Sequence, residues 1–148
     1  FRERKLDILF VDYLQLMKVT GDVGRKNDSR AQEVAIISAS LKELAKELQI
    51  PVVALAQLNR SPEQRGGHKE GPKYQLSDLK ESGAIEQDAD VIMFLHREEQ
   101  NDKDTERKGE ADLIIAKQRN GPTGRIVLAF ISKYTKFSNL EFGDRDYE

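Results

Sequence analysis

Hydrophobic residues in this chain come in short blocks that end on polar side chains. Leu6 to Val11 is mostly aliphatic, too short for a helix, and stops at Asp12, which predicts a buried strand delivering a carboxylate to a sheet edge. Val34, Ile37, Leu41, Leu44 and Leu48 then recur at alternating spacings of three and four. That is one apolar face of an amphipathic helix, with Ser29 placed to cap its start and its end near Gln49. The opposite face carries Lys42, Glu43, Lys46 and Glu47 and reads as solvated surface. Pro51 stops the helix, and Val52 to Ala56 predicts a second buried strand ending in Gln57, Asn59 and Arg60.

Further along, Ser77 to Gln87 reads as a short helix with Gly83 inside it. Val91 to Leu95 predicts a third strand. Leu113–Ala116 and Ile126–Phe130 predict two more, joined through Asn120-Gly121-Pro122 as a hairpin. Tyr134 to Phe137 is a candidate edge strand. Between these lie polar loops: Thr20–Ser29, which carries Arg25 and Lys26, Ser61–Lys73, and the charged stretch Glu98–Glu110. The order β-α-β-α-β followed by a hairpin implies an α/β sheet that is parallel in its first part. Three successive strands ending in polar residues would gather those residues on one edge, where open α/β sheets bind ligands.

Composition narrows the picture. The chain has 148 residues, enough for one domain with a core, and 34% are charged. Net charge is −2, so any nucleic-acid contact must come from a local patch rather than a global basic field. There is no cysteine, which excludes disulfides and Cys-ligated zinc. No apolar run is long enough to span a bilayer and no signal peptide is visible, so the expectation is a cytoplasmic protein without a membrane partner. Phe1 in place of methionine, with a strand beginning almost at once, suggests part of something longer.

Four phrases carry a resemblance: VDYLQLM (11–17), LAKELQIPVVALAQLNRSPEQR (44–65), SDLKESGAIEQDADVIMF (77–94) and AKQRNGPTG (116–124). In this order they resemble the C-terminal, RecA-like motor domain of the DnaB-type replicative DNA helicases. Other RecA-like ATPases, such as recombinases and circadian-clock ATPases, share the strand pattern but not AKQRNGPTG. The resemblance implies a homo-hexameric ring that hydrolyses ATP with Mg²⁺ between subunits and moves along single-stranded DNA, with primase and a helicase loader as partners. The fold expected is a partial RecA-like sheet: parallel strands with flanking helices, then an antiparallel hairpin. Residues 1–138 would be the C-terminal portion of the ATPase domain and 139–148 an acidic tail.

Residue by residue, Asp12 matches the Walker B aspartate that positions Mg²⁺, through water. Gln57 matches the polar residue that senses the γ-phosphate; its amide both donates and accepts hydrogen bonds. Arg119 matches an arginine finger reaching the neighbouring subunit's site, with Lys117 its companion, two residues apart on an extended segment. Lys80, Glu81, Ser82 and Gly83 match a DNA-facing loop of the central channel. Many relatives have arginine where this chain has Lys80, which keeps the charge but loses the bidentate fork. Arg25 and Lys26 match a second channel loop less closely. The stretch Arg65–Gln75 is longer and richer in glycine than usual and has no assigned role.

One part is missing. No G-x-x-x-x-G-K-[ST] occurs; Gly66 and Gly71 have the right separation, but Pro72 follows. The phosphate cradle and the glutamate that activates water lie upstream in the family. The sequence alone is therefore expected to be inactive, with helicase as the function of a parent protein. The P-loop strand normally lies between the sensor strand and the strand at Val91–Leu95, so the third strand is expected to face a gap. The competing reading is a non-enzymatic module, a truncated paralogue that binds helicase, loader or primase.

Overall fold

The computed structural model describes residues 5–19, 29–58, 74, 76–79 and 83–140. The chain divides into two compact units, Phe1–Ala89 and Asp90–Glu148.

In the first unit, β1 (Leu9–Val11) pairs in parallel with β2 (Val52–Ala54) in a two-stranded sheet, Leu9 opposite Val52 and Val11 opposite Ala54. β1 is shorter than the hydrophobic block predicted. A ladder exists only where both strands are present, and β2 begins just after Pro51, whose carbonyl accepts from the Leu9 N–H at 3.0 Å. Leu6 and Ile8 are consequently exposed. Between the strands runs α1 (Arg30–Leu48). Ser29 caps it in a full capping box, its hydroxyl accepting from the Gln32 N–H while the Gln32 side chain accepts from the Ser29 N–H. The helix ends as expected at Gln49, which takes the left-handed conformation (φ 53°) and donates its backbone N–H to the Ala45 carbonyl. Val34 and Ile37 are buried, as the periodicity predicts, and Ser38 joins them.

The helix expected over Ser77–Gln87 is broken. Leu76–Asp78 forms a single 3-10 turn, and α2 spans only Gly83–Asp88, so Gly83 opens the helix instead of lying inside it. The cause is Leu79, which forms an isolated antiparallel bridge with Leu58; a helix cannot run through a residue so paired. Ser38 Oγ donates to Asp88 Oδ2 at 2.7 Å and ties α1 to α2.

The second unit is a four-stranded antiparallel sheet in the order β3 (Val91–His96), β4 (Glu110–Gln118), β5 (Gly124–Ile131), β6 (Lys136–Asn139). The hairpin and the edge strand are where the sequence predicts them. β3 alternates strictly: Ile92, Phe94 and His96 are buried, while Val91, Met93 and Leu95 are exposed. The parallel pair and the antiparallel sheet are separate, with no described strand between β2 and β3.

The charged stretch after β3 is more ordered than a solvated excursion. Arg107 folds it back, meeting Glu110 at 2.9 Å and gripping Asp112 on β4 with both terminal nitrogens, at 2.8 and 2.9 Å. Arg125 on β5 grips the same carboxylate at 2.8 and 2.9 Å. Asp112 thus accepts from two bidentate guanidinium forks while its side chain is 3% exposed. Burial alone would push its pKa up, but the hydrogen bonds and charges of Arg107 and Arg125 together outweigh burial and hold it below the usual carboxylate range. The Arg107 pKa is raised, chiefly by its hydrogen bonds to Asp112. Gly109, at φ 74°, makes the turn back into β4.

Candidate functional site

The two parallel strands stop together, and their ends build one side of a site. Asp12, immediately after β1, and Gln57, three residues beyond β2, line one open depression of about 380 Å³ with Tyr13, Leu55 and Ala56. Both polar residues are exposed. The chain beyond each strand is fixed by the other: the Leu55 N–H donates to the Val11 carbonyl at 2.9 Å, and the Leu14 N–H donates to the Leu55 carbonyl at 2.9 Å.

A third tie was not legible as such in the sequence. Gln15 sits on the 3-10 turn Leu14–Leu16 that follows Asp12. Its Nε2 donates to the Gln57 carbonyl at 3.3 Å, and its Oε1 accepts from the Gln57 N–H at 3.2 Å. One side chain thus pairs with both backbone groups of the residue proposed to sense phosphate. The only signal in the sequence is that an amide lies three residues past Asp12 in the phrase VDYLQLM. The turn itself is held by Arg30, which donates to the carbonyls of Leu14 at 3.3 Å and Met17 at 3.0 Å and pairs with Glu33 at 2.7 Å. Such hydrogen bonds contribute about 1 kcal/mol each, comparable with the entropy of ordering one long side chain. Their main consequence is placement.

Among the described residues, no group of three His, Asp or Glu side chains gathers to hold a metal. A single exposed carboxylate suits Mg²⁺, which takes one or two protein carboxylates and completes its shell with phosphate oxygens and water. Asp12 fits that donor pattern.

The basic candidates lie in the second unit. Lys117 is in β4, opposite Ile92. Arg119 is the first residue of the five-residue link between β4 and β5. The strand ends at Gln118, so the two-residue alternation expected to point Lys117 and Arg119 the same way stops short of Arg119. Arg119 is set instead by its backbone N–H, which donates to the Asp90 carbonyl at 2.9 Å. Its guanidinium is 54% exposed and meets the Asp90 carboxylate at 3.4 Å. A surface pair of this kind contributes about 0–1 kcal/mol, so a more highly charged anion can outcompete it.

Of the DNA-facing candidates, Gly83 opens α2, and a Cβ there would meet nothing within 4 Å. Lys80, Glu81, Ser82, Arg25 and Lys26 lie outside the described residues, as does nearly all of Arg65–Gln75.

Comparison with known proteins identifies this arrangement. The chain is 50% identical to the replicative DNA helicase DnaC of Bacillus subtilis over 140 residues, which is 95% of this chain and 29% of that protein. It is 54% identical over 135 residues to the replicative DNA helicase DnaB of Haemophilus influenzae, covering 91% of this chain and 27% of that one. Among solved structures it is similar to a DnaB-like replicative helicase studied in its interactions with primase, with a TM-score of 0.78 and 47% identity over 90% of this chain and 30% of that one. It is equally similar, at TM-score 0.78 and 47% identity, to an ATPase domain solved on its own, of which it covers 44%. The chain thus spans less than a third of the length of these curated relatives. The family model for the DnaB-like helicase C-terminal domain matches residues 1–139, and the chain belongs to that family.

Proposed function

We propose that the chain is part of the motor domain of a hexameric replicative DNA helicase that couples ATP hydrolysis to translocation on single-stranded DNA. The observation that carries this reading is the convergence of Asp12 and Gln57 on one depression at the ends of two adjacent parallel strands. Asp12 would hold Mg²⁺ on the nucleotide through water, and Gln57 would meet the terminal phosphate or the attacking water with its amide. When bound, Mg²⁺ neutralises charge on the phosphates.

Arg119, on a link between strands and with a half-exposed guanidinium, would act on the nucleotide of a neighbouring subunit, with Lys117 as its companion. A planar guanidinium matches the charge spread over transferring phosphoryl oxygens. Lys80, Glu81 and Gly83 would meet the DNA strand through its phosphates, with Arg25 and Lys26 as further contacts. Primase and a helicase loader would be the protein partners, and the cytoplasm the place of action.

The test has two arms. The 148 residues alone should hydrolyse no ATP above background, because phosphate cradle and base are absent from the sequence. In the full-length protein, Asp12→Asn should abolish Mg²⁺-dependent turnover. Turnover by the isolated chain that Asp12→Asn removes would overturn the first arm; full turnover of the full-length variant would overturn the second.

A further inference from the structure

The double hydrogen bond between Gln15 and the backbone of Gln57 has no counterpart in the roles assigned so far. A glutamine side chain copies the hydrogen-bonding edge of a peptide group, one donor beside one acceptor. Gln15 uses that edge as a strand would, closing a paired contact on Gln57 where the regular β1–β2 ladder has already ended. Backbone beyond the end of a ladder has no partner of its own. Without Gln15, the last fixed point before Gln57 is Leu55, whose N–H and carbonyl are held by Val11 and Leu14.

Gln15 is in turn fixed from the Asp12 side. It lies on the turn that leaves Asp12, and Arg30 pins that turn by two backbone carbonyls. The carboxylate and the sensor amide are therefore braced across the depression by a side chain that lines none of it. Two hydrogen bonds at a half-buried glutamine do little more than offset the entropy of holding it. The contact governs where Gln57 sits more than how stable the fold is.

We propose that Gln15 is a positioning residue, which holds the Gln57 backbone so that the Gln57 amide is presented to the nucleotide phosphates. The inference rests on the reading of Gln57 as the phosphate sensor. In a reaction where catalysis is mostly placement, a displacement of about 1 Å costs on the order of a hundredfold in rate.

The experiment is a double-mutant cycle in the full-length protein, with ATP turnover measured at saturating Mg²⁺. Gln15→Met keeps the shape and loses both hydrogen bonds; Gln15→Glu keeps the acceptor for the Gln57 N–H and loses the donor. Gln15→Met should lower kcat by about 10- to 100-fold and leave KM for ATP within about twofold. Gln15→Glu should fall between it and the wild type. Combined with Gln57→Ala, Gln15→Met should cost nothing further, because the group it positions is gone. Wild-type kcat in both Gln15 variants would overturn the proposal. So would losses that multiply in the double variant, since Gln15 would then act independently of Gln57. A Gln57→Ala protein with normal turnover would instead remove the sensor reading itself, and the proposal with it. If Gln15→Met fails to fold, the cycle is run with Gln15→Glu, which must likewise lose its effect in the Gln57→Ala background.

Discussion

Leu58 and Leu79 face each other across an isolated antiparallel bridge. Leu58 directly follows Gln57, and Leu79 directly precedes Lys80. The segment proposed to sense phosphate and the segment proposed to touch DNA are thus joined by their backbones, one residue from each candidate. A change in the backbone at Gln57 has a short route to the DNA-facing stretch. In the full-length protein, Gln57→Ala should lower kcat by about 10²- to 10³-fold, the range for losing one preorganised donor, with little change in KM for ATP. It should also abolish the stimulation of turnover by single-stranded DNA. Steady-state rates with and without an oligonucleotide measure both. Residual turnover stimulated by DNA to the wild-type factor would show that this bridge relays nothing.

Lys80 is proposed to hold a phosphate and no base. Lys80→Ala should therefore weaken single-stranded DNA binding by similar factors on different sequences, and lower the salt slope by at most about one unit. Binding titrations at several salt concentrations on two unrelated oligonucleotides provide the check. A slope equal to the wild type would mark Lys80 as solvated surface.

Asp112 makes a prediction about acid stability. Its folded-state pKa is depressed, so its contribution to stability is complete above the unfolded value, about 3.9, and is lost as pH falls through the lower folded value. Asp112→Asn should destabilise the folded protein near pH 7 by about 2 kcal/mol, less than a fully buried pair because Arg107 and Arg125 reach water. The difference between wild type and variant should shrink from about pH 4 downward. Denaturant unfolding of the full-length proteins from about pH 3 to pH 7 reads it. A difference independent of pH would remove the charge from the explanation.

The elements and their order were legible because periodicity and stop signals report local backbone: Ser29, Gln49 and Pro51 delimit α1 and β2 where the sequence predicts. Features that depend on a distant partner were not legible. The Leu58–Leu79 bridge breaks a helix that local pattern favours, and β1 is trimmed to the residues β2 can pair. The two forks on Asp112 unite Arg107, Asp112 and Arg125, which sequence treats as loop and strand surface. In the candidate site, Asp12 and Gln57 could be found as polar residues ending hydrophobic blocks. Gln15 could not, because its function lies in the backbone it touches rather than in its own position in a pattern.

A site completed between subunits, with Asp12 on one side and Arg119 on the other, is the central claim. Arg119→Ala in the full-length protein should leave ATP binding largely intact and lower turnover by about 10³- to 10⁵-fold. Mixing rings of that variant with rings of Asp12→Asn is the most direct test. Each variant alone is inactive, but a mixed ring contains interfaces where an intact Asp12 meets an intact Arg119 from its neighbour. Turnover should rise above both parents and peak near equal mixing. No recovery at any ratio, with mixed rings shown to form, or full turnover by the Arg119→Ala ring alone, would contradict the account.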